Sequence, residues 1–134
     1  SKGVISLQLS VGSRISLARS AIGQAYIVGT NETERAEIID RIRARYEPDR
    51  INQILENLEE AREQVEKKGF YCMIGNWQRD VNAVAVPYRS QQPDTPMLAF
   101  NLGGYSFALP KERLEDDLGP QLVELVRMVN RVGY

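Results

Sequence analysis

The chain contains no histidine. That removes every Ser-His and Cys-His nucleophile pair, and with Cys72 as the only cysteine it leaves too few ligands for a zinc site. A lone cysteine permits no internal disulfide and fits a reducing compartment, so the expected location is cytoplasmic. No apolar run approaches the roughly 20 residues that a membrane-spanning helix needs. The 17 Lys and Arg nearly balance the 18 Asp and Glu, for a net charge of −1. Such a chain has no basic field with which to hold a nucleic-acid backbone. No pair of carboxylates stands apart for acid–base work, and Glu115, Asp116 and Asp117 read as a solvated helix face. The composition points away from an enzyme, and no metal or cofactor is expected.

What remains is an ordinary globular composition, 43% hydrophobic and 26% charged over 134 residues, enough for one domain with a real core. Val4 to Val11 alternates as a half-buried strand, with Leu7, Leu9 and Val11 on one face. Ile15 to Gly29 is rich in small residues; Ser20 is placed to cap a helix there and Gly29 to end it. Thr30 or Asn31 caps a second helix with the stripe Ile38, Ile39, Ile42 and Tyr46. Pro48 ends it and Asp49 starts a third, in which Ile51, Ile54, Leu55, Leu58, Ala61 and Val65 follow helical spacing. Gly69 supplies its left-handed cap.

From Gly69 to Tyr88 the sequence reads as two short strands joined by a polar loop that holds Trp77. Val81 to Val86 is small, β-branched and almost uncharged, as a central strand buried on both faces should be. A two-proline turn, Gln91 to Pro96, leads to a partner strand, Met97 to Gly103, which Gly103-Gly104 ends. A last helix is expected over Lys111 to Val132, with Pro120 permitting a break near Gly119. Its expected buried side is Leu114, Leu118, Leu122, Leu125, Val126 and Val129. Strand, three helices, three strands and a helix make an α+β fold, an antiparallel sheet with helices packed on it.

Each candidate site has two readings. Ser20-Ala21-Ile22-Gly23 can present free amides to an anion, or can serve close packing of helix on sheet. Trp77 and Arg79 can form a pocket mouth, or can cover a sheet edge. Asn101, polar among Leu98, Phe100 and Leu102, can meet a ligand or face water. Cys72 and Met73 can line a cavity or fill the core. The chemistry leads as far as a small-molecule binding domain.

Val11-Gly12-Ser13-Arg14-Ile15-Ser16-Leu17, followed by Ser20-Ala21-Ile22-Gly23-Gln24-Ala25-Tyr26, resembles the entry to effector-binding domains of IclR-type transcriptional regulators. Gly69-Phe70-Tyr71, Val81-Asn82-Ala83-Val84-Ala85-Val86-Pro87 and Leu98-Ala99-Phe100-Asn101-Leu102-Gly103-Gly104 resemble later motifs of that family, in the same order. The chain departs from the family pattern at Ser16, Asn76 and Asp80.

The resemblance implies a GAF/profilin-like fold that binds a small organic effector, a carboxylic or aromatic acid, and assembles as a homodimer or homotetramer. It implies effector contacts from Ala21, Ile22, Gly23, Met73, Val81, Ala83, Asn101 and Gly103, with Trp77 at the pocket rim. It also implies that residues 1–134 are a single effector-binding domain truncated at its N-terminus. DNA would be met only through a winged helix-turn-helix domain absent from this chain. The other reading is a ligand-free assembly domain of the same fold.

Overall fold

A computed structural model of the chain describes residues 16–76, 79–90, 92, 95 and 97–132. The expected strand Val4 to Val11, Trp77, and Gln91, Pro93, Asp94 and Pro96 of the expected turn lie outside the described residues.

Helix α1 (Ala21–Gly29) starts at Ser20, whose hydroxyl accepts the Gly23 N–H at 3.1 Å, the capping bond expected of a Ser at this position. Helix α2 (Glu32–Arg45) is capped by Asn31, which accepts the Glu34 N–H at 2.8 Å. Its first turn carries Glu32 and Glu34 and its last Arg43 and Arg45, matching the helix dipole. Helix α3 (Pro48–Lys68) takes Pro48 as its own first residue, where a missing N–H costs nothing, and not as the stop of α2. It buries Ile51, Ile54, Leu58 and Ala61 and ends at Gly69, whose φ of 86° is left-handed.

The described sheet has three antiparallel strands in sequence order, β1 (Tyr71–Ile74), β2 (Val81–Tyr88) and β3 (Leu98–Tyr105). β2 is central and buried almost throughout, as its composition requires. β3 does not stop at Gly103-Gly104, as expected, but runs on to Tyr105. Gly103 and Gly104 lie across the ladder from Ala83 and Asn82, so they extend the pairing. At the other edge, the Gln64 side chain of α3 accepts the Cys72 N–H at 2.9 Å and covers β1.

Two layers of helix cover the sheet. On one face α1 and α3 enclose Tyr71, Met73, Ala83 and Ala85. On the other, Cys72, Val84, Val86 and Tyr88 meet Leu114, Leu122 and Val126. The last helix is not continuous. A short turn α4 (Lys111–Arg113) passes into a π-helical turn, Leu114–Leu118, and then helix α5 (Gly119–Arg131).

The π turn brings Leu114 and Gly119 onto one line against the sheet, and a Cβ on Gly119 would stand 2.6 Å from the Phe70 ring. The extra residue in the turn shifts the helical phase of α5. Leu125, expected on the buried side, is 49% exposed, while Leu122 and Val126 of the same helix are buried.

Candidate functional site

Strand alternation divides β2 into two sets: Val81, Ala83 and Ala85 on the α1 side, and Asn82, Val84 and Val86 on the α5 side. Pairing then sets straight rows across the α1-side face. One is Met73–Ala83–Gly103, the next Tyr71–Ala85–Asn101, and Val81 pairs with Tyr105. Small residues at the centre of both rows let α1 lie close to the sheet. Ala21 and Ala25 meet Ala83, Ala85, Met73 and Tyr71 in one buried cluster.

The predicted residues divide into three groups. Ala21, Met73 and Ala83 come together in that cluster, and Val81 is buried two residues along the same strand. Asn101 and Gly103 complete the rows on β3 but are exposed. Ile22 and Gly23 turn to the side of α1, where with Leu17, Ser20, Tyr26, Met97, Leu98 and Ala99 they line a shallow groove of about 240 Å³. Cys72 points to the opposite face from Met73, so the two do not line one cavity.

At the start of α1 the three amides differ. The Gly23 N–H is taken by Ser20, while those of Ala21 and Ile22 meet no acceptor among the described residues. Gly23 itself answers to packing, since a Cβ there would stand 2.2 Å from the Leu17 carbonyl oxygen.

Two polar side chains escaped the sequence reading. Tyr71 is fully buried, and its hydroxyl reaches no partner in bonding geometry among the described residues, although the Asn76 amide lies near. Gln24 is also fully buried; its Nε2 donates to the Ala18 carbonyl at 2.8 Å, and its Oε1 has no partner among the described residues. The signal was available in both cases. Each is a polar group set in a small or apolar run, the same feature that singled out Asn101.

Electrostatically the face is quiet. Burial pushes the Tyr71 phenol well up, with nearby Glu60 adding to the shift, and burial pushes the Cys72 thiol up to about 11. Neither group ionises near neutral pH. Among the described residues no cluster of acidic, Cys or His side chains is placed to hold a metal. What the face offers among the described residues is apolar walls, N–H donors without an acceptor there and a few neutral polar atoms, an inventory suited to binding.

No protein-family model matches the chain. An IclR-family transcriptional regulator from Brucella abortus is 42% identical, superposes with a TM-score of 0.79, and shares 87% of this chain and 43% of its own. Over most of its length the chain is similar to one part of an IclR-family transcriptional regulator. The HTH-type transcriptional regulator TsaQ1/TsaQ2 of Comamonas testosteroni is 26% identical over 121 residues, 90% of this chain and 43% of that protein.

The inducer-binding domain of PobR from Acinetobacter, in complex with 3-hydroxybenzoic acid, superposes with a TM-score of 0.66 over 89% of this chain and 69% of its own. At 17% identity it shows the shared fold. The chain thus spans less than half the length of the Brucella and Comamonas regulators it matches. These relatives are transcriptional regulators, and no described helix is long and apolar enough to cross a membrane.

Proposed function

We propose that this IclR-type domain senses a small carboxylic acid, aromatic or short aliphatic, bound on the α1 side of the sheet where α1 begins. The observation that carries the reading is the juxtaposition of two helix-start amides, Ala21 and Ile22, that meet no acceptor among the described residues, with a sheet face whose outer strand is open at Asn101 and Gly103. The dipole of α1 stands behind those amides and favours a carboxylate. Met73, Val81 and Ala83 form the apolar floor, and Asn101 is a polar contact. The bound aromatic acid of PobR supports the ligand class.

In this reading the chain is one effector-binding domain of a longer cytoplasmic regulator whose winged helix-turn-helix domain meets the DNA. Binding alters how copies of the domain pack, and so how the DNA-binding domains are spaced. The domain turns over nothing. A thermal-shift screen of small carboxylates tests the ligand step, since a ligand that binds only the native state raises its melting temperature. A rise with a carboxylate but not with its amide is expected.

One observation favours a second reading, a ligand-free assembly domain. Ala21, Met73, Ala83 and Ala85 are already packed with Tyr71 in one buried cluster, and none of the four is more than 8% exposed. A flat response to every carboxylate would support that reading.

A further inference from the structure

Helix α5 carries two apolar stripes. One, Leu122 and Val126, is buried on the sheet. The other faces out. Leu125 and Val132 are seven apart, with Met128 between them in the same repeat, while Leu118, one repeat earlier, is half-buried against the core at the end of the strip. Leu125 is 49%, Met128 57% and Val132 70% exposed. The outward stripe lines an open, mostly apolar cleft of about 690 Å³ shared with Asn101 and Leu102 of β3, and Leu102 is itself exposed. Single exposed apolar residues need no explanation, but a contiguous strip at heptad spacing has the form of a helix–helix seam.

The charges beside the strip indicate the partner. Glu124 and Arg131 are also seven apart and hold the same flanking position of the repeat. Within one copy Glu124 pairs with Arg127 at 2.6 Å and lies 3.9 Å from Arg131, all on the solvent side, where such pairs contribute little. When two copies of the helix lie antiparallel with Leu125 of one beside Met128 of the other, Glu124 of each copy stands opposite Arg131 of its mate. A parallel pair would set like charges at the same level. A two-fold axis then makes both ion pairs and the whole apolar strip self-complementary, the requirement for an isologous interface.

We infer that the outward face of residues 118–132 docks against the same face of a second copy of this chain, antiparallel, with Leu125 and Met128 at its centre. This gives the oligomer of the proposed function a surface, and it stands whether or not the domain binds an effector.

The test is analytical ultracentrifugation of the whole chain across the micromolar range, with circular dichroism to show that each variant is folded. The expected result is a concentration-dependent dimer. Leu125→Glu and Met128→Glu, both at exposed positions, should weaken it by at least about tenfold. Glu124→Arg and Arg131→Glu should each weaken it, and the double reversal should restore it, because each copy then regains a complementary pair. A monomeric wild-type chain would overturn the inference, as would dimers indifferent to Leu125→Glu and Met128→Glu. A double reversal that stays as weak as the single ones would overturn the antiparallel pairing.

Discussion

Gly103 lies directly across the β2–β3 ladder from Ala83, and a Cβ added to it would stand 3.3 Å from the Ala83 Cβ. Two of the smallest side chains in the protein thus face each other at the centre of the row that begins with Met73. The row is shallow there, and α1 begins above it. In the proposed function that shallowness is the space a ligand uses.

Gly103 is exposed and its φ is not left-handed, so a side chain can be added without backbone strain. Gly103→Val should keep the fold, with unfolding free energy within about 1 kcal/mol of the wild type. Urea denaturation checks this. A much larger loss would mean that the row is closed by something the added methyls strike.

The Ile22 amide is the cleaner probe of the helix start. Ile22 is the second residue of α1, where a proline leaves the helix intact because its N–H has no helical partner. Ile22→Pro should leave the helix content seen by circular dichroism unchanged. It should weaken carboxylate binding by about tenfold, the loss of one charge-assisted hydrogen bond. Unchanged affinity would remove the amide from the site.

Gly23 behaves differently. Its neighbour at 2.2 Å is the Leu17 carbonyl, a backbone atom that cannot swing aside. Gly23→Ala should therefore cost about 2 kcal/mol or more, in the range of overpacked cores. Chemical denaturation measures it. A near-neutral result would show that the loop before α1 moves freely.

Much of the fold was legible in the sequence because local rules agree with the final packing. Ser20 and Asn31 cap where small polar residues should, and Gly69 is left-handed as the end of α3 demands. The spacing of Ile51, Ile54, Leu58 and Ala61 fixed a face that tertiary contact then used. The failures are non-local. Nothing in Leu114 to Leu118 announces a π turn, and helical spacing alone did not separate the exposed Leu125 from the buried Leu122 and Val126. Gly103-Gly104 looked like a stop because glycine weakens strands, but the facing Ala83 and Asn82 supply the pairing. For Gly23 the sequence left anion binding and close packing both open, and only the closeness of the Leu17 carbonyl shows how tightly the chain packs there. The site residues were gathered by strand alternation as far as the sheet is concerned. How α1 lies over them depends on packing that periodicity does not encode.

Alkali should destabilise the domain through groups buried in their neutral form. The Cys72 thiol is raised in the folded state to about 11 from an ordinary value near 9, and the Tyr71 phenol is raised in the same direction. A raised acid binds its proton more tightly when folded. Its contribution to stability is therefore complete below about pH 9 and is lost as the pH rises towards about 11. Urea midpoints should fall over that range, and Cys72→Ala with Tyr71→Phe should flatten the slope whatever it does to the midpoint at neutral pH. A slope unchanged in the double variant would place the alkaline loss elsewhere.

The most direct test of the central claim is a calorimetric titration of the wild-type domain and Gly103→Val with the carboxylate that gives the largest thermal shift in a series including 3-hydroxybenzoate. The account predicts saturable binding at one site per chain, with affinity reduced by at least about tenfold in Gly103→Val while its stability is retained. Equal affinity in the two proteins, or no carboxylate that binds the wild type at all, would contradict it.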